Sequence, residues 1–266
     1  MEARIQSIGR AAALLDVMGA GEWVALRDLA DRLGVAKTTT SNLVGALVDV
    51  GLVEHDATRG AYRLGLALLA YGKAVERRLD IAAALRPHLI ALSAATRETV
   101  NLALPCPTDA IIVESLEGSR SLRVSSYSGT RASYHSTACG RALLAWHSEA
   151  FRRAIFALGP LPALTPRTVT DPAEIEAQLD EGRRRGWFTE FEQNETGSAC
   201  VAAPVFGPDG GVLAAVSIAG PVARFDRQVT QRHAALLVER LRGIDPFVQS
   251  SVTATAPSRP AMPVVA

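Results

Sequence analysis

The amino-acid sequence predicts an α+β chain with two domains: a small helical unit that ends in a β-hairpin, then a larger unit of strands and helices. Three observations carry that expectation. Apolar side chains recur at helical spacing from Ile8 to Val50, cut by glycines, and a strand-turn-strand pattern follows. From Thr99 onward the texture changes to short β-rich runs separated by Pro, Gly and Ser clusters, with helices between them. At 266 residues the chain exceeds the usual size of a single core. The boundaries read as a helical head over 1–65, a connecting helix over 66–80, a second domain over 81–249 and a disordered tail over 250–266.

The elements follow in order. In the first helix Ile8, Ala11, Ala12, Leu15 and Met18 share a face, Ser7 is a good N-cap, and Gly19 with Gly21 ends the run. Leu26, Leu29, Ala30 and Leu33 repeat the spacing, and Gly34 stops the second helix. A third starts near Ala36, turns Leu43, Leu47 and Val50 inward and ends at Gly51. Leu52–His55 and Ala61–Leu64 flank a turn-rich loop, which makes a hairpin. Helices are then expected over Leu66–Arg78 and Ile81–Thr96, and strands over Thr99–Leu104, Ala110–Leu116, Leu122–Ser126, Ala199–Phe206 and Val212–Ile218. Asp171-Pro172-Ala173-Glu174 sets an N-cap, a first-turn Pro and an N3 Glu in the order a helix start requires, and Arg227–Arg242 is a last helix. The Ser, Thr, Ala and Pro tract from Ser250 to Ala266 carries one charge, Arg259.

Composition excludes a disordered or fibrous chain: 48% of residues are hydrophobic and 21% charged. Lys and Arg number 28 against 27 Asp and Glu, so global charge announces neither a nucleic acid nor a membrane. Cys106, Cys139 and Cys200 are too scattered for a disulfide framework or a paired metal motif, and no apolar stretch reaches spanning length, which fits a cytoplasmic protein without metal or cofactor.

The tight Gly34-Val35 corner between two short helices is helix-turn-helix geometry, in which the following helix enters the major groove N-terminus first. Lys37, Thr38, Thr39, Ser41 and Asn42 crowd the first turns of that helix and supply hydrogen-bonding groups for base edges and phosphates. Arg59 at the hairpin tip and Arg63 beside it put charge where a wing meets the backbone or the minor groove. From Met1 to Tyr71 there are seven basic against eight acidic side chains, so a strongly basic footprint is absent. A protein-interaction or ligand-sensing module that does not bind DNA is the alternative reading.

This arrangement resembles the IclR family of bacterial transcription regulators. Leu29-Ala30-Asp31-Arg32-Leu33-Gly34-Val35-Ala36-Lys37-Thr38-Thr39 resembles the family's second and third helices, and Tyr62-Arg63-Leu64-Gly65 the end of its wing; Asn42 stands where the family often has Arg. In the second domain, His135-Ser136-Thr137-Ala138-Cys139-Gly140-Arg141 through Ala145 resembles a loop-to-helix segment, with Arg141 for a usual Lys. Gly186–Glu190, Cys200–Phe206 and Val216–Pro221 resemble the family signature and final strand, with Glu190 for Asp, Gln193 for Glu and Ala219 for a Ser found in some members.

The resemblance implies a GAF-like antiparallel-sheet domain flanked by helices, with a pocket for small metabolites, often organic or aromatic acids. It also implies a homodimer or a dimer of dimers on double-stranded operator DNA. The pocket positions it implies are Thr137, Ala138, Cys139, Gly140, Glu190, Cys200 and Ser217. A helix beginning at Thr137 to Gly140 would offer free backbone N–H groups to a carboxylate. Each residue also has a plainer reading: Cys200 as core, Ser217 as a backbone partner, Glu190 as an exposed acid. No G-x-S-x-G, H-E-x-x-H, Walker loop or paired-Cys site is present, so no catalytic residue is assigned; Cys139 or Cys200 with His135 is the one formal nucleophile and base.

Overall fold

The computed structural model describes residues 5–19, 23–76, 80–242 and 244, so the expected tail from Ser250 and the end of the connecting helix at Arg77 and Arg78 lie outside the described residues. The chain divides into two compact units, Met1–Leu79 and Asp80–Ala266.

The first unit runs α1 (Gln6–Met18), β1 (Val24–Ala25), α2 (Leu26–Leu33), α3 (Lys37–Asp49), β2 (Val53–Asp56), β3 (Ala61–Leu64) and α4 (Ala67–Glu76). Leu14, Met18, Leu29, Val44, Leu47 and Val53 form its core. The expectation for α1 needs correcting in part: Ile5 holds the N-cap position without a side-chain cap, Ser7 lies inside the helix and Ile8 is exposed, while Met18 is buried with Leu14, and Ala11 and Leu15 pack against the core as expected. The wing is a three-stranded sheet in the order β1-β3-β2, in which β1 pairs Val24 with Tyr62 and Ala25 with Ala61.

Two glycine turns set the helix angles. After α2, Gly34 at φ +66 donates its N–H to Ala30 and Asp31, and Val35 donates to Ala30. After α3, Gly51 at φ +74 donates to Val48 (2.9 Å) and Leu52 donates to Leu47 (2.9 Å), the paired bonds that satisfy the last helical carbonyls. Val50, expected inward, is exposed because the chain has already left the helix there.

In the second unit α5 (Asp80–Thr96) leads into β4 (Thr99–Pro105), β5 (Ala110–Leu116) and β6 (Arg131–Ala132). Next come α6 (Ala138–Leu144), α7 (Glu149–Phe156), α8 (Pro172–Arg185), β7 (Phe188–Phe191), β8 (Ser198–Phe206), β9 (Val212–Pro221) and α9 (Arg227–Leu241). The strands form one antiparallel sheet in the order β6-β5-β4-β9-β8-β7. The segment Leu122–Ser126, expected as a strand, is extended loop: Val124 spends its carbonyl on the Thr99 hydroxyl (2.5 Å) instead of a strand ladder. Asp171 caps α8 by accepting from the Ala173 N–H, with Pro172 in the first turn as expected.

Each face of the sheet packs against helices. Leu85, Leu89 and Leu92 of α5 and Ala234 and Leu237 of α9 cover Val100, Leu102, Val201, Val216 and Ile218. Ala138, Ala142 and Leu143 of α6, with Ile175 and Leu179 of α8, cover Ala103, Phe188, Ala202 and Ala215. Because strand side chains alternate, Asn101, Cys200, Ser217 and Ala219 fall on the α6 face, between residues committed to the α5 and α9 face.

A Cβ on Gly51 would meet only the Ala67 Cβ at 3.5 Å, so its substitution is decided by backbone conformation. Gly51→Ala is expected to cost about 1–2 kcal/mol in urea unfolding, whereas Gly45→Ala, inside α3 with open space around it, is expected to gain about 1 kcal/mol.

Candidate functional site

On α3, Lys37, Thr38, Ser41 and Asn42 are exposed and Thr39 is half-buried. Thr40 between them is wholly buried, its hydroxyl donating to the Ala36 carbonyl at 3.3 Å. Spacing of three and four residues puts Thr38, Ser41, Asn42 and Gly45 on one solvent-facing stripe. Lys37 makes no ion pair among the described residues.

The wing arginines are already engaged. Arg63 donates from Nε to Glu54 Oε2 (2.8 Å) and Arg59 pairs with Asp56 (3.3 Å). Both guanidinium groups also lie over the Trp23 ring, at 4.5 Å for Arg63 and 5.8 Å for Arg59. Asp56 builds the hairpin turn by accepting from the N–H groups of Thr58 and Arg59. Trp23 is a member of this group that sequence reasoning missed, since a lone aromatic ahead of a two-residue strand has no periodic signal.

In the second unit the structure brings together five of the seven residues expected at an effector site. Thr137, Cys139, Glu190, Cys200 and Ser217 line one cavity of about 160 Å³, together with Asn101, Ser126, Arg131, Asn194 and Ala219. Ala138 and Gly140 are absent from its wall. Ala138 is fully buried in the core beneath α6, and a Cβ on Gly140 would lie 2.2 Å from the Ser133 carbonyl, so that glycine serves close backbone packing. Thr137 caps α6, accepting from the Gly140 N–H (2.9 Å) and donating to Ser133 (2.8 Å).

The cavity wall carries two polar groups whose needs the protein leaves unmet. Glu190 is 2% exposed and Ser217 1%; Glu190 Oε1 has no hydrogen-bond partner, and Ser217 Oγ has none beyond the weakly bonding thiols of Cys139 and Cys200. Asn101, by contrast, accepts from the Ser126 hydroxyl (2.6 Å). Clefts of about 420 Å³ along Arg141, Glu181 and Arg185 and about 380 Å³ around Trp146 and Phe206 are larger, but no unpartnered buried atom among the described residues lines them.

A buried arginine holds this region together. Arg141 is 2% exposed and donates to the His135 carbonyl through Nε (2.8 Å) and Nη2 (2.6 Å), to the Thr189 carbonyl (3.3 Å) and to Gln193 Oε1. Burial pushes its guanidinium down to about 10, opposed by the carboxylates of Glu190 and Glu174. Thr165 and Thr168 donate to the carbonyls of Glu192 and Gln193, both at 2.6 Å, and Glu192 sits at φ +55. That pinned turn faces its N–H groups toward Glu190. Burial nonetheless raises the Glu190 carboxyl to about 7, against the N–H groups of Gln193, Asn194 and Glu192 and the charge of Arg141.

The thiols are poor nucleophiles. Burial pushes Cys139 up to about 11 and Cys200 well above the ordinary thiol range. His135 lines a different cavity, and its Nε2 is engaged with the Pro162 carbonyl (3.0 Å). The structure therefore does not bring the one formal nucleophile and base together.

Residues 7–57 match the IclR helix-turn-helix domain, and residues 73–245 match the bacterial transcriptional regulator IclR C-terminal domain. This chain belongs to the IclR family. Among IclR relatives it is 30% identical over 225 residues to the HTH-type transcriptional regulator KipR of Bacillus subtilis, covering 85% of this chain and 90% of that protein. It is 33% identical over 229 residues to the glycerol operon regulatory protein of Streptomyces griseus, covering 84% and 88%. Among solved structures it is similar to the IclR transcriptional regulator of Alicyclobacillus acidocaldarius, with a TM-score of 0.73 and 25% identity over 90% of this chain and 97% of that one. The IclR-family chain is thus a transcription regulator with a helix-turn-helix DNA-binding domain, in a family of regulators rather than enzymes. No helix among its described residues is long and apolar enough to cross a membrane.

In this IclR-family domain the Glu190 carboxyl makes stability depend on pH in a defined direction. The folded protein holds the proton more tightly than the unfolded chain, so ionising Glu190 opposes folding. The penalty is absent below about pH 4.5, grows as pH rises toward 7 and is fully present above it. The span corresponds to about 3 kcal/mol. Glu190→Gln is expected to stabilise the protein by up to about that amount at pH 8 and by little at pH 4.5, read from urea unfolding at both values. An equal gain at both would detach the effect from ionisation.

Proposed function

We propose that this regulator reads a pseudopalindromic operator as a homodimer or dimer of dimers, and that a small organic acid in the cavity beneath α6 controls its operator affinity. The observation that carries the effector reading is the enclosed wall on which Glu190 Oε1 and Ser217 Oγ stand buried without partners. Buried polar groups of this kind are costly when left unmatched, and a ligand's polar groups match them. In this reading the 1–65 segment is the DNA-binding domain, 66–80 the connecting helix and 81–249 the effector-binding domain.

For DNA, Lys37, Thr38, Thr39, Ser41 and Asn42 take the major groove while Arg59 and Arg63 take phosphates. Asn42 is the one suited to bidentate reading of adenine. Exposed ion pairs are worth little, so exchanging Glu54 or Asp56 for a phosphate costs little. Dimerisation is supported by two lines of argument. A single recognition helix reads only a few base pairs, so useful specificity needs two half-sites. The helix α4 buries no side chain and exposes Leu69, Tyr71 and Val75, an apolar face of the kind protein interfaces cover.

The first test is fluorescence-anisotropy binding to DNA from the protein's own upstream region, against random duplex, over a salt series. Selective binding with a negative salt slope is expected, with release by an acid effector. Asn42→Ala is expected to weaken specific binding by about 1–3 kcal/mol and leave random-duplex binding nearly unchanged. Equal loss on both duplexes would remove Asn42 from base reading.

A further inference from the structure

The cleft of about 380 Å³ beside the C-terminal end of α9 shares no wall residue with the cavity beneath α6. Its lining includes Ala203, Pro204, Val238 and Leu241, together with two large aromatics that meet edge to face at 4.9 Å. These are Trp146, 39% exposed, and Phe206, 36% exposed, although rings of this size are mostly covered in a folded chain. The same cleft borders an open sheet edge. Strand β7 pairs only with Ala199–Ala202 of β8, while β8 runs on to Phe206 against β9. The Glu192 N–H donates to the Ser198 carbonyl, so alternation turns the backbone groups of Cys200, Ala202 and Pro204 to the β7 side. Past the end of β7, Pro204 brings a carbonyl and no N–H to an edge that no strand among the described residues covers. Folded proteins cover such edges with a loop or a further segment.

We propose that the chain's own segment Pro246-Phe247-Val248 covers this cleft, with the Phe247 ring seated against Trp146 and Phe206. The inference is independent of the operator and effector readings above. Ile244 already lines the cleft, and α9 releases the chain in an extended conformation, with Arg242 at φ −66 and ψ 124. Phe247 is the one aromatic side chain in residues 245–266 and follows Ile244 closely in the chain. An extended chain spans the interval between them in about 10 Å, so no intervening loop is needed. Pro246 keeps Asp245 out of the helical region, which favours continuation along the edge. Charge agrees as well: Arg242 lines the cleft without an ion pair among the described residues, and Asp245 supplies the opposite sign nearby in the chain. A tethered segment competes for the cleft at an effective concentration in the millimolar range, without the translational freedom that a second copy gives up. The matched IclR C-terminal domain ends at residue 245, so the covering segment is this chain's own addition to that domain.

Photo-crosslinking in the full-length protein tests the proposal. The photoreactive amino acid p-benzoylphenylalanine replaces Phe247, and mass spectrometry of the digested product locates the new bond. Irradiation is expected to join position 247, within one chain, to peptides carrying Trp146, Phe206 or Val238. Bonds between chains, which double the mass on a denaturing gel, would give the cleft to a second copy and overturn the proposal. Bonds to other parts of the chain, or none, overturn it too. A second readout uses Trp146 as the single tryptophan, in full-length protein carrying Trp23→Phe and Trp187→Phe. There Phe247→Asp is expected to raise acrylamide quenching of Trp146 about twofold or more, and Phe247→Leu to leave it nearly unchanged. Quenching that Phe247→Asp does not alter overturns the proposal. Should the double Trp variant fail to fold, the crosslinking, which keeps every native tryptophan, decides alone.

Discussion

Burial of the six-stranded sheet on both faces is the constraint from which the second unit's chemistry follows. On a sheet with one wet face, polar residues at alternate positions are solvated without cost. Here helices cover both sides, so a polar side chain on β4, β7, β8 or β9 needs a partner in the protein or in an occupant. On β4, β8 and β9 the α5 and α9 face answers with hydrocarbon, and on β5 Glu114 is paired with Arg86 of α5. The α6 face does not: Asn101, Glu190 and Ser217 interrupt it, and while Asn101 accepts from Ser126, Glu190 Oε1 has no partner and Ser217 Oγ has only weakly bonding thiols beside it. Glu190 Oε1 and Ser217 Oγ lie together under a seven-residue helix whose Arg141 locks the neighbouring loop and strand by their carbonyls.

The first unit solves a different problem with less material. Its core is six buried side chains, so the helix angles depend on two left-handed glycine turns as much as on packing. Gly34 sets α3 against α2, and Gly51 turns the chain from α3 into the wing. The wing then fixes its arginines internally, through Glu54, Asp56 and the Trp23 ring. On the DNA-binding reading proposed above, phosphate would exchange with partners that already hold these guanidinium groups in position, so ordering entropy would be spent in folding instead of in binding.

Legibility in the sequence tracked periodicity and local chemistry. Helices α2 and α8 were readable because a regular apolar stripe coincides with a glycine stop or an Asp-Pro start. The exposed stripe of α3 was readable because polar side chains interrupt a helical pattern. The face of α1 is only partly legible: Ala11, Leu15 and Met18 reach the core as expected, but Ile8 and Ala12 do not and the buried Leu14 is missed, because alanines leave the stripe ambiguous. The strands β1, β6 and β7 span only two to four residues, too short for a period to show. Leu122–Ser126 shows the converse failure, since β-rich composition does not create a ladder where the backbone bonds a side chain. Family resemblance pointed to Glu190, Cys200 and Ser217; that two of them lack partners depends on three-dimensional closure, which no local pattern encodes.

The energetic scale of the Glu190 carboxyl matches the scale that regulation requires. A ligand alters DNA affinity only to the extent that it prefers one arrangement of the protein, and couplings of this kind typically amount to about 1–3 kcal/mol. Burial of the Glu190 carboxylate opposes ionisation by about 3 kcal/mol, as its raised titration implies. An occupant that supplies the missing donor recovers part of that free energy, and it does so only in arrangements that keep the donor against Oε1. On the effector reading proposed above, one such carboxylate oxygen would have the magnitude to drive a response across that range. By reciprocity, DNA that selects the opposite arrangement must weaken the ligand by the same factor. On this argument the exposed Glu190 of a plainer reading would have had no such lever, because water would already have supplied the donor.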